Sequence, residues 1–258
     1  DLTLWGIEQG YHVICEKPVA TSRAEATRIR AAAAAGGRVV APCHQYRFNP
    51  VWGRIRTWLA EGRIGRWHLA ELSVHRPGAD PGAHAAATPW RGTRAESAGG
   101  VLLDHGTHLF YQAIDFAGMP TAVTAWTGRL RHASYDVEDT ATVLLAYPDR
   151  AVHMLLTWAG GRRDNLVRFI GDAGVIEWAG GELRLETAAG VERVDVSREL
   201  DKRIYHRWFA RLFDGFVASV DQADGKAYLD DIERVAVVLE TAYASAAAGR
   251  TLALDSSS

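Results

Sequence analysis

Three side chains have the types and spacing to run acid–base chemistry on a small polar molecule: Lys17, Asp104 and His108. Lys17 sits in Glu16-Lys17-Pro18, directly after the apolar run Tyr11-His12-Val13-Ile14-Cys15. Such a run reads as a buried parallel strand, and ligands of open α/β sheets bind at the carboxyl ends of these strands. A lysine there can hydrogen-bond a substrate hydroxyl and polarise it; a surface lysine in a plain strand-to-helix turn is the other reading. Asp104 and His108 lie four apart on an expected helix, so both project from one face. A carboxylate beside an imidazole orients it and raises its basicity, and histidine titrates where a general base is useful. A local ion pair would give the same spacing. His105 falls roughly 100° round that helix from Asp104, which makes it the poorer partner.

Other chemistries find less support. The ten histidines include no HExxH and no later ligand at a recognisable spacing, so no metal site is expected. There is no GxSxG, and Cys15 and Cys43 lie in apolar surroundings without a CxxC. No GxGxxG follows a strand, so the phosphate-cradling turn of a dinucleotide site is not spelled out anywhere in the chain.

The elements that must position these residues change character along the sequence. Residues 1–62 alternate helix and strand: an alanine-rich helix follows Ser22-Arg23-Ala24-Glu25, a capping-box pattern, and stops at Gly36-Gly37. A short strand, Val39-Val40-Ala41, and a helix from Pro50 to Ala60 complete that part, which reads as a parallel, doubly wound sheet. From Trp67 the period becomes two, as in Val152, Met154, Leu156 and Trp158. Repeated strands at this spacing predict a large, mostly antiparallel open sheet with helices on one face. One of those helices should run from Ala98 to Ala117 and carry Asp104 and His108. A sheet covered on one side leaves an apolar-rich face, which predicts a homodimer or homotetramer joined through it.

Composition fits that picture. With 29 basic and 31 acidic side chains the net charge is −2, which gives no basic field for nucleic acid. No apolar run approaches the ~20 residues of a membrane span, and the cysteine usage makes a reduced, cytoplasmic protein the default.

In sequence order, the chain resembles the glucose–fructose oxidoreductase/inositol dehydrogenase family. The matching segments are Gly10-Tyr11-His12-Val13-Ile14-Cys15-Glu16-Lys17-Pro18, Tyr46-Arg47-Phe48-Asn49-Pro50, Trp90-Arg91, Gly99-Gly100-Val101-Leu102-Leu103-Asp104-His105-Gly106-Thr107-His108 and the tail Ala244–Arg250. The resemblance implies an NAD- or NADP-binding Rossmann domain, of which residues 1–62 are the C-terminal part, and a substrate-binding and oligomerisation domain over residues 63–258. Four strands and the phosphate loop would then precede Asp1.

The same resemblance makes Lys17, Asp104 and His108 the catalytic residues and sets Glu16, Lys17 and Pro18 against the cofactor. Arg47 and Arg91 join Asp104 and His108 at the substrate. The implied activity is hydride transfer on a sugar, inositol or related polyol, in which Asp104 orients His108. The alternatives are a redox-neutral glycosidase or dehydratase that uses the cofactor transiently, and a cofactor-less sheet-dimer binding protein. Ala98 stands where the family has the first glycine of a GGG, a change expected to matter little.

Overall fold

A computed structural model of the chain describes residues 2–79 and 90–254. The first unit comprises α1 (Leu2–Glu8), β1 (Val13–Cys15), α2 (Arg23–Gly36) and β2 (Val40–Pro42). The two strands are parallel neighbours with Ile14 opposite Ala41, as expected. Ser22 caps α2 by accepting from the Glu25 N–H at 3.2 Å. The Glu25 carboxylate reaches back one residue further than a capping box requires, to the N–H of Thr21 at 2.8 Å. Gly37 ends the helix in the left-handed region, which a residue without Cβ adopts freely. Ile7, Ile29, Ala33 and Val40 form a small core.

After a 3₁₀ turn at Gln45–Phe48, helix α3 (Pro50–Ala60) starts with Asn49 as its cap and Pro50 in the first turn. Its buried face, Val51, Trp52, Ile55 and Trp58, packs into the large core of the second unit and not into the small one. That unit is built on β3 (Trp67–His75), α4 (Arg94–Ser97), α5 (Thr107–Ala117), β4 (Ala122–Gly128), β5 (Thr140–Ala146) and β6 (Ala151–Thr157). It continues with β7 (Asp164–Gly171), β8 (Gly174–Ala179), β9 (Glu182–Thr187), β10 (Gly190–Asp195), α6 (His206–Asp221), α7 (Lys226–Ala248) and β11 (Leu252–Ala253). The sheet has nine strands in the order β10-β9-β8-β7-β3-β6-β5-β4-β11. Only the β3–β6 pairing among these described strands is parallel. Alternation places Leu72, Met154, Val143, Val167 and Ile176 on the helix-covered face.

The open face is mixed rather than simply apolar. Glu71, Arg168, Glu177 and Arg184 form a cross-strand charge ladder with contacts of 2.8, 2.5 and 3.6 Å. Exposed Trp126 and Leu144 share that face on β4 and β5, with β6 between them and the ladder. The long helix α7 joins the two units: Ile232 and Ala236 belong to the small core, Val235, Val238, Leu239 and Ala242 to the large one.

The single helix expected from Ala98 to Ala117 is instead broken. After α4, Ala98 takes a left-handed φ of 64°, and the chain re-enters helix through a π turn over Leu102–Gly106 that leads into α5. Glu138 explains the break: its carboxylate accepts from the N–H groups of Gly100 (3.0 Å) and Leu102 (3.2 Å), capping the new start. A Cβ on Gly100 would collide with the Glu138 carbonyl, so glycine is required at that point. Ala98 is consequently not neutral. An L-residue in that backbone region costs roughly 1–2 kcal/mol, which the family's glycine would avoid.

Candidate active site

Strand β1 ends at Cys15, and the following turn carries Lys17 across to the π turn of the second unit. The Lys17 ammonium donates to Asp104 Oδ1 at 2.5 Å and to the Asp104 carbonyl at 2.6 Å. Arg91 Nε and His105 Nε2 each lie 3.7 Å from the other carboxylate oxygen. Burial would raise the Asp104 carboxyl, but Lys17, His105 and Arg91 more than offset it and hold it below the ordinary carboxylate range. Asp104 is thus an anion gripping a lysine, and His108 is not its partner. This corrects the expected Asp104–His108 pair, and also the placement of His105: the His105 ring is the one beside Asp104.

His108 faces elsewhere. Its Nδ1 lies 3.2 Å from the Tyr111 hydroxyl, and its ring stands edge-on to Tyr46 at 4.6 Å. Burial, reinforced by the Lys17 charge, depresses its basicity well below the usual histidine range, so the ring is neutral at pH 7. His105 is pushed down to about 4, chiefly by burial, with Asp104 opposing and Arg76 and Lys17 assisting. Tyr111 is fully buried, accepts from the Tyr46 N–H at 3.2 Å, and stacks on His44 at 4.0 Å.

Arg47 stands behind this layer. Its guanidinium makes paired contacts with Asp115 (2.7 Å) and Asp231 (3.0 Å), while Asp231 also holds His44 at 2.7 Å. Arg47 is therefore a brace for the Tyr111 region and is not among the residues lining the cavity beside His108. Arg91 does reach the Lys17–Asp104 pair, and its guanidinium also covers the Trp90 ring at 4.2 Å.

His105 and His108 line a cavity of about 260 Å³ between α5 and the covered face of the sheet, room for one small ligand. Several lining residues escaped the sequence reading. Gln112 is 1% exposed, and neither its Oε1 nor its Nε2 has a partner; Asn165 Oδ1 and Arg76 Nε are likewise unpaired. Buried polar groups are nearly always satisfied, so unpaired ones around a cavity mark where a polar ligand docks. Gln112 had a legible signal, being four residues after His108 on the same helix face. Arg76 and Asn165 had none, because strands distant in sequence bring them in.

Two other chemistries gain nothing from the geometry. Burial raises the Cys43 thiol to about 12, far from a reactive thiolate. No group of three or more His, Cys, Asp or Glu side chains among the described residues could hold a metal ion. No helix among them is long and apolar enough to cross a membrane.

Comparison with known proteins agrees with this architecture. Residues 1–44 match the family model for an oxidoreductase family with an NAD-binding Rossmann fold, and residues 52–177 match the GFO/IDH/MocA C-terminal domain. Among curated proteins, the chain is 36% identical over 112 residues to 1,5-anhydro-D-fructose reductase of Ensifer adhaerens, covering 41% of this chain and 30% of that protein. It is 34% identical over 140 residues to human trans-1,2-dihydrobenzene-1,2-diol dehydrogenase, covering 54% of this chain and 39% of that one. The matched region thus spans between about a third and two fifths of these relatives' length. Among solved structures, GenD2 from gentamicin A biosynthesis in complex with NAD superposes with a TM-score of 0.80 at 26% identity, over 99% of this chain and 75% of that chain. The chain belongs to the GFO/IDH/MocA oxidoreductase family.

Proposed function

We propose that this chain supplies the catalytic and substrate-binding part of an NAD(P)-dependent oxidoreductase that acts on a hydroxyl of a sugar, inositol or related polyol. The observation that carries the reading is one juxtaposition. Lys17, at the carboxyl end of β1, is clamped by Asp104 from 87 residues away, beside neutral His108 and a cavity with unpaired polar groups. The names of the relatives, a reductase of an anhydro-sugar and a dehydrogenase of a diol, point the same way.

The cofactor's fit is uneven. Glu16, Lys17 and Pro18 follow the carboxyl end of a parallel strand, and in this reading they would meet the nicotinamide end of a dinucleotide. No GxGxxG occurs among the 258 residues to take its pyrophosphate. NAD(P), when bound, supplies the hydride acceptor.

The chain's own residues do the rest. Catalysis uses the His108 tautomer that carries its proton on Nδ1, toward the Tyr111 hydroxyl oxygen 3.2 Å away, because only that form leaves Nε2 free to accept the proton of the substrate hydroxyl. The Lys17 ammonium stabilises the developing alkoxide, in surroundings where a fixed charge counts for more than in water. Asp104 positions Lys17, and Arg91 helps hold that carboxylate. Tyr111, backed by His44 and Arg47, is a positioning residue for His108.

The test is a substrate screen with NAD(P)⁺ on the chain joined to a complete dinucleotide-binding half. Accumulation of NAD(P)H with a polyol is expected. Turnover of a glycoside or loss of water without net NAD(P)H would assign the redox-neutral alternative, and no turnover of any kind would reject the enzyme reading.

A further inference from the structure

The far wall of the cavity carries a cation that no ion pair holds among the described residues. Arg76, at the end of β3, is 6% exposed. Its Nη1 donates to two backbone carbonyls, those of His75 (2.6 Å) and Asp164 (2.9 Å), and its Nε has no partner. No carboxylate forms an ion pair with it among the described residues. Among the described residues the one acidic side chain lining the cavity is Asp164, which is engaged by Arg162 at 3.2 Å and accepts the Asn165 N–H at 3.0 Å. A second guanidinium, Arg163, lines the rim. The two histidines at the other end are neutral and contribute no counter-charge.

A buried cation with only neutral partners is costly, whereas one whose counter-ion arrives with the ligand is a binding device. Carbonyl contacts occupy Nη1 and leave the Nε–Nη2 edge unengaged, and that edge has the spacing of the two oxygens of a carboxylate. Gln112 and Asn165, also unpaired, offer amide donors and acceptors between Arg76 and His108, matched to hydroxyl groups.

We propose that the substrate is a polyhydroxy carboxylate, an aldonate or a uronate. Its carboxylate docks on Arg76 with Arg163 at the rim, its hydroxyls on Gln112 and Asn165, and its reacting carbinol lies at His108. This rests on the oxidoreductase reading and narrows its substrate class. Arg76, Gln112 and Asn165 are then specificity-determining residues.

Calorimetric titration of the 258-residue chain with matched pairs tests it without any turnover. The pairs are D-gluconate against D-glucitol and D-galacturonate against D-galactose, with D-glucose 6-phosphate as a further arm. The carboxylate member of a pair should bind at least about tenfold tighter, the worth of one charge-assisted contact. Arg76→Gln should erase that preference, weakening the carboxylate member by about tenfold more than the neutral one. Arg163→Gln, at an exposed position, should shrink the preference without abolishing it and guards against a misfolded Arg76 variant. Equal affinity within both pairs, or a preference that survives in a folded Arg76→Gln, overturns the carboxylate assignment but spares the polyol reading. Tighter binding of the phosphate ester than of either carboxylate also overturns it. Binding of none of these ligands overturns both.

Discussion

The Lys17–Asp104 cluster, the mouth of the site, and the polar lining of the neighbouring cavity, its floor, are built on opposite principles. At the mouth the charges are partnered: Lys17 is held by Asp104, Arg91 approaches the same carboxylate, and neutral His105 flanks it. At the floor Gln112, Asn165 and Arg76 carry donors and acceptors with no partner. A pre-paired cation fixed in place lowers the reorganisation needed when charge develops on a reacting oxygen. An unsatisfied floor does the converse, gaining only when a ligand completes it. Rate should therefore depend on the mouth and selectivity on the floor.

The largest expected effect sits at the mouth. Lys17→Met removes the cation at the reacting oxygen and, in the completed enzyme, should lower kcat by roughly 10²–10⁴-fold. If kcat holds and only KM rises, Lys17 is a binding residue and the contrast between mouth and floor weakens.

Asp104→Asn should act next most strongly, and through Lys17 rather than through His108. Loss of a hydrogen-bonded partner for a half-buried ammonium costs about 1.5–3 kcal/mol of folding stability. Denaturant titration would show it, and Lys17→Met should remove most of that penalty in the double variant. Additive losses would contradict the pairing.

The two histidines sharpen the comparison through pH. Both are depressed below the unfolded value of 6.5, His105 to about 4. Between these limits the unfolded chain binds protons that the folded chain refuses, so stability falls as pH drops from about 6.5 toward 4. The lowered Asp104 carboxyl adds a further loss only below its ordinary value of 3.8. The fall in melting temperature across that range should become shallower in His105→Gln, with His108 and the likewise lowered His44 carrying the remainder. A slope unchanged by that substitution would place the titration elsewhere.

The smallest effect lies outside both regions. Ala98→Gly should stabilise the fold by about 1 kcal/mol by relieving the left-handed φ, with no change in ligand binding.

How much of this the sequence discloses depends on the range of the interaction. Lys17 was legible because a strand end is a local feature with a general consequence. The parallel pairing of Ile14 with Ala41 followed from two short apolar runs and the helix between them. The Asp104–His108 spacing was legible too, but its meaning was not. Asp104 is captured by a lysine 87 residues away, and His108 by Tyr111 one turn on, and spacing within one helix reports neither preference. The broken helix start was hidden for the same reason, since its cap is Glu138 on a distant loop. Arg47 entered as a substrate contact through the family resemblance alone; Asp115 and Asp231, which claim it, come from α5 and α7.

The central claim is that His108, neutral and turned away from Asp104, takes the substrate proton. Single-turnover hydride transfer in His108→Asn, run at saturating polyol on the completed enzyme, tests it most directly. The rate should fall roughly 10²–10⁴-fold while polyol affinity stays within a few-fold of the parent, and His105→Asn should lose less. Hydride transfer that survives in His108→Asn and collapses in His105→Asn would contradict it.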